Sequence, residues 1–229
     1  MNFTKIIGRA LRDMLSPSVL GFVLKVGLGS FLFWMAVLWL GWDLFERFVV
    51  TYISMIPGVG KWEWLQESGA FLAALATGYA LIVVTISLLT SLFSEKLILQ
   101  LAAREYPQIR PVGSAAIHRS IYYTLKASIV FLLLFLLTLP LIFVPVFGQL
   151  WMLWLWSILL KEPTVYDVGS LFISDPKVLK QRAKRAGLIA MIAALFNYIP
   201  LLNIFAPLFA QILFLHYLLA NGIPENRKS

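Results

Sequence analysis

The sequence predicts an all-α integral membrane protein: two transmembrane helices, two re-entrant helical hairpins that partly penetrate the bilayer, and amphipathic cytoplasmic helices. Three observations predict it. There are four long charge-free runs, basic residues are unevenly spread between them, and a pair of prolines recurs inside the last two. The 229 residues are 60% hydrophobic and 13% charged, whereas ordinary soluble domains are roughly a quarter charged. The runs cover 26–42, 68–94, 127–160 and 186–224, and a spanning helix needs only about 20 apolar residues.

The first span is placed at 19–42. It starts near Val19, lacks a small-residue cleavage site after it and is long enough to cross, so it reads as a span and not as a secretory signal. The second span is placed at 68–94. Of the 19 Lys and Arg, only Arg47 and Lys61 fall between these two runs, beside Asp43, Glu46, Glu63 and Glu67. Positive charge stays inside, so the N-terminus is expected in the cytoplasm and the connector 44–65, with Tyr52, Trp62 and Trp64, at the far interface.

The third and fourth runs pose a threading problem. The segment 161–185 and the C-terminal tail are both basic, which puts both ends of the fourth run on the cytoplasmic side. The third run, 34 residues, is about 51 Å as one helix, too long for one crossing and too short for two, which need about 40 residues and a turn. The prolines resolve this. Each run is expected to rise, break at Pro140 or Pro200, turn, and restart near Pro145 or Pro207, where proline suits the first turn of a helix. The hairpins are therefore placed at 127–160 and 186–220, entering and leaving on the cytoplasmic side. Lys126-Ala-Ser-Ile and Arg185-Ala-Gly-Leu open them alike, as in an internal repeat. The segments 95–126 and 176–185 mix apolar and basic residues and read either as amphipathic surface helices or as solvated extensions of the spans.

The restarting half-helices offer unpaired N–H groups and positive dipole ends within the membrane, an arrangement suited to anions. Gln149, Asn197, Asn203 and Gln211 lie near these breaks. They read either as donors along a pathway or as groups that satisfy backbone freed by the prolines. His216 lies in the last run and reads as an interface histidine or a substrate contact. His118 reads as solvent-facing. Gly27-Leu28-Gly29-Ser30 is a small-residue patch for close helix approach. The chain has no cysteine, which excludes disulfides and thiolate ligands. Two isolated histidines make no metal site, and no cofactor is expected. The formal charge of +8 reads as cytoplasm-facing loops, with no nucleic-acid partner. No carboxylate lies inside an apolar run, which argues against proton coupling through a buried acid. No nucleotide motif or carboxylate pair suggests an enzyme.

Ile199-Pro200-Leu201-Leu202-Asn203, Pro145-Val146-Phe147-Gly148-Gln149 and the Ser16-Pro17 start of the first span resemble the bacterial CysZ family, grouped with the eukaryotic etoposide-induced autophagy proteins. The resemblance covers roughly residues 8–220 and includes the order of the elements, so the whole chain, 1–229, is read as one CysZ-like membrane domain. It implies two transmembrane helices, two partly penetrating helix pairs and a homo-oligomer. The bacterial members are sulfate permeases of the inner membrane that feed cysteine synthesis. A permease for sulfate or a similar oxyanion is therefore expected, with both termini cytoplasmic. Its anion would meet Ser16, Pro17, Ser18 and Val19, with Lys25 on the same helix, before reaching the hairpin tips. One departure stands out: Ser18 occupies the family's glycine position, and Leu20 and Gly21 occupy those of its arginine pair. The alternative is a membrane-organising or interaction protein without transport, using basic residues such as Arg182, Lys184 and Arg185.

Overall fold

The computed structural model describes residues 3–55, 63–199 and 202–220, so Pro200 lies outside the described residues. These residues are helical, with no strand among them. Four helical stretches are long and apolar enough to cross a membrane: Pro17–Leu40, Ser68–Ile86, Ile117–Leu137 and Leu202–Leu219. The chain divides into two compact units, one of residues 21–90 and one of residues 1–20 with 91–229.

In the smaller unit, α2 (Pro17–Leu40) is apolar on every face. Large side chains such as Leu24, Leu28, Phe33 and Trp39 point outward. Outward hydrophobics on this scale suit a helix whose solvent is lipid. Its inner contacts run antiparallel to α4 (Glu63–Glu105). Trp34 Nε1 donates to Thr85 Oγ1 at 2.8 Å, Gly27 faces Ile86 and Gly78 faces Leu38. Ser30, 2% exposed, returns its hydroxyl to the Val26 carbonyl at 2.7 Å. The small-residue patch at 27–30 thus packs against the second apolar helix, the role expected of it. Beyond the break at Gly41, the connector forms a thirteen-residue helix, α3 (Trp42–Ser54), with no buried residue.

The larger unit is built around α9 (Ala206–Leu219). Thirteen of its fourteen residues are buried, on all sides. A helix that is apolar all round becomes a core element. α1 (Phe3–Met14), α6 (Phe147–Gly169) and α8 (Gly187–Ala194) all pack on it. α1 buries Ile6, Ala10, Asp13 and Met14, a stripe at helical spacing. α8 approaches through Ala190, Ala193 and Ala194, all fully buried. α5 (Ile117–Leu137) pairs with α6 as a helical hairpin. α7 (Pro176–Arg185) is capped by Asp175, whose carboxylate accepts from Lys177 N at 2.7 Å.

Several sequence expectations change in detail. α5 starts at Ile117 rather than at 127, so its 21 residues are about 31 Å long, enough by length to cross. α6 continues past Leu160 through a buried Pro163 to Gly169. The loop expected at 161–185 is thus helix for much of its length, because Val165, Tyr166 and Val168 bury against the unit's interior. The segment 95–105 is an extension of the second apolar helix, not a separate surface helix. Its Leu97, Ile98 and Leu101 are buried. The second hairpin rises less than expected: α8 has eight residues, about 12 Å, before a tighter 3₁₀ turn at Leu195–Tyr198.

The tip of the first hairpin is also not a simple proline restart. α5 ends before Thr138, and Pro140 lies in a 3₁₀ turn, Leu139–Phe143. Pro145 precedes α6 instead of opening it. Between them Val146 takes φ 64° and ψ −54°, and Phe147 N donates to the Pro145 carbonyl at 2.6 Å. This is a γ-turn with positive φ, a strained conformation for a β-branched residue. It turns the chain sharply enough that Gly148 sits on the Ile142 backbone.

Candidate functional site

The expected anion-binding residues surround the turn from α1 to α2. Ser16 donates its hydroxyl to the Asp13 carbonyl at 2.6 Å, and its own carbonyl accepts from Leu20 N at 2.9 Å, which starts α2. Pro17 occupies the first helical position. The N–H groups of Ser18 and Val19 therefore have no acceptor within the helix. Pro17 and Ser18 are exposed, Val19 is buried, and Lys25 is exposed further along the helix. This leaves an accessible helix N-terminus of the kind that attracts anions.

One turn earlier, Asp13 is fully buried and anchors a polar network. Its Oδ2 lies 2.9 Å from His216 Nε2, and His216 Nδ1 lies 2.9 Å from the Tyr106 hydroxyl. The carboxylate accepts from Nε2–H, which leaves Nδ1 to accept from Tyr106. Arg104 donates to Asp13 Oδ1 at 2.7 Å and sits 3.3 Å from Glu105, which Arg12 also reaches at 2.8 Å. Burial raises the Tyr106 pKa, and the nearby Arg9 guanidinium opposes that shift. Three arginines against two carboxylates leave one positive charge in excess beside the turn while His216 is neutral.

Asp13 is the buried acid that the sequence reading did not single out; it lies in α1, outside the apolar runs, which carry no carboxylate. The network joins residues 91, 110 and 203 positions apart, so no local pattern reveals it. Of its members the sequence singles out only His216, which sits in the last turn of α9 and is buried between Asp13 and Tyr106.

The hairpin-tip residues gather at the other end of α9. Tyr198 donates its hydroxyl to the Gln149 backbone carbonyl, and its ring lies tilted against Trp156 with centroids 4.9 Å apart, so the two tips meet beside Asn197. Gln149 itself is exposed. Pro207 lies in the first turn of α9, as expected. The side-chain oxygens of Asn203 and Gln211 are buried with no hydrogen-bond partner. His216 lies ten residues beyond Ala206, about 15 Å along the axis. The α1–α2 turn and the tips are therefore separate clusters at opposite ends of one buried helix.

Asp167, near the end of α6, accepts from Ser120 at 2.6 Å. Burial raises its pKa, and that hydrogen bond opposes the shift. A carboxylate whose folded pKa is raised favours folding most at low pH, and this contribution is lost as pH rises through the folded value. Asp167→Asn is expected to raise the melting temperature in detergent at pH 7, with the difference shrinking toward pH 4, in paired thermal-shift measurements.

The helices and their outward apolar surfaces define a multi-helix membrane protein. The family model "Sulfate transporter CysZ/Etoposide-induced protein 2.4" matches residues 6–207. The chain belongs to this family. No curated protein and no solved structure matches it. Among the described residues no group of His, Cys, Asp and Glu is arranged to hold a metal ion.

Proposed function

We propose that the protein is a permease for sulfate or a similar oxyanion, acting as a homo-oligomer in a bacterial inner membrane to feed sulfur assimilation. Both termini lie in the cytoplasm, and the third and fourth apolar runs form hairpins that return to that side. The observation that carries this reading is the α1–α2 turn. An exposed N-terminus of a helix long enough to cross a membrane begins four residues after Asp13, with which Arg104 pairs at 2.7 Å. Family membership supports it, since the family name is that of a sulfate transporter. The anion meets the helix entry at 16–19 first, at its exposed Pro17 and Ser18, and then the amides near the hairpin tips, Gln149, Asn197, Asn203 and Gln211. Flux runs down the gradient, because the apolar runs carry no carboxylate to move a proton.

A second reading, an organising or interaction protein without transport, is favoured by Leu20 and Gly21, which stand where related permeases are expected to carry arginines. Growth separates the two. In a bacterial strain lacking sulfate uptake, expression is expected to restore growth on sulfate as the sole sulfur source. Ser18→Trp, which covers the helix N-terminus, should abolish the rescue at equal membrane levels, with cysteine restoring growth in every case. No rescue by properly inserted wild-type protein favours the second reading.

A further inference from the structure

A cavity of about 480 Å³ opens between the start of α5, the end of α6, the segment 112–116 and α7. Its rim carries Arg119, Lys126, Lys161, Lys180 and Lys184 against one carboxylate, Glu162. Glu162 is held by Lys126 at 2.7 Å. Among the described residues the other four cations have no ion-pair partner. The wall is firmly built: Val112 N donates to the Leu171 carbonyl at 2.8 Å, and the tilted rings of Tyr123 and Tyr166 have centroids 4.9 Å apart. The volume falls within the range of small-molecule sites, about 300–1,000 Å³, and is far more than one tetrahedral oxyanion needs.

The cavity continues into a second space. A groove of about 280 Å³ shares Lys126, Lys161 and Glu162 with it and runs down between α5 and α6 along Ala127, Val130, Leu134, Trp154 and Ile158. Lys126 and Lys161 are the residues that bound the charge-free run 127–160. The basic chamber therefore sits where the polar end of the hairpin meets its apolar arms, and the groove descends from it along those arms. Positive charge above and an apolar channel below match an amphipathic anion, and basic pockets beside membrane helices suit anionic headgroups.

We propose that the cavity and groove together hold one anionic phospholipid, its phosphate among Arg119, Lys161, Lys180 and Lys184 and one acyl chain against Val130 and Trp154. The site is independent of the permease reading. Native mass spectrometry of the full chain tests it, in micelles doped with dioleoylphosphatidylglycerol or dioleoylphosphatidylcholine, with glycerol 1-phosphate as the headgroup alone. Phosphatidylglycerol is expected to stay bound at one per chain, at least tenfold more tightly than phosphatidylcholine. Lys180→Glu, at an exposed position on α7, and the pair Lys161→Ala with Lys184→Ala should each weaken it about tenfold or more. Val130→Trp, which fills the groove, should weaken the lipid and leave glycerol 1-phosphate unaffected. Equal retention of the two lipids, or wild-type retention by Lys180→Glu, overturns the proposal. So does glycerol 1-phosphate binding as tightly as the lipid, which would make the ligand a soluble organophosphate.

Discussion

Replacing Asp13 by alanine is expected to cost about 1–3 kcal/mol of stability, the range for leaving a buried hydrogen-bonding group without its partner. The carboxylate is fully buried and serves His216 and Arg104 at once. Without it, His216 loses the acceptor that fixes its tautomer, and Arg104 loses its shortest ion pair. In detergent, Asp13→Ala should lose the monodisperse peak on size exclusion at temperatures the wild type survives. His216→Ala should cost a similar amount, because it leaves Oδ2 of the buried carboxylate without its donor. The double variant should cost clearly less than the sum, since neither group remains to be stranded. Strict additivity would show that the two side chains do not interact and would remove the network as the clamp between α1 and α9.

The second large effect is at the first hairpin tip. Gly148 is packed so tightly that a Cβ would lie 2.6 Å from the Ile142 carbonyl carbon, and the clash is with backbone, which cannot rotate away. Gly148→Val is expected to cost more than the 1–3 kcal/mol typical of overpacking, because the γ-turn at Val146 must open to relieve it. Val146→Gly tests the same geometry with the opposite sign. It removes strain of order 1–3 kcal/mol against a glycine penalty of roughly 0.5–1 kcal/mol, so it should be neutral or mildly stabilising. Thermal shifts of both variants in one detergent check the pair. A Gly148→Val protein as stable as wild type would contradict the tip geometry.

These two sites show where local sequence stops being informative. The long apolar helices were legible because lipid-facing segments must be apolar over a membrane's thickness, and α2 follows that rule from Val26 to Leu40. The break near Pro140 and the restart near Pro207 were legible because proline removes a helical donor and suits a first turn. The γ-turn was not, since nothing about a valine announces positive φ. α9 looked like any other apolar arm, and only the packing of α1, α6 and α8 around it makes it the core of its unit. Asp13 sits in a short, arginine-rich helix that reads as a polar surface segment. Its burial depends on partners more than ninety residues away. Of the expected site residues, those at the α1–α2 turn form one cluster, while buried, unsatisfied oxygens lie at Asn203, just before α9, and at Gln211, midway along it.

The most direct test of the central claim is labelled sulfate uptake into proteoliposomes holding the purified protein, beside empty vesicles and vesicles with Ser18→Trp. The account predicts uptake driven by the sulfate gradient alone, unaffected by a proton gradient and reduced at least tenfold by the variant. Uptake no greater than in empty vesicles, from protein that elutes as a folded oligomer, would contradict it.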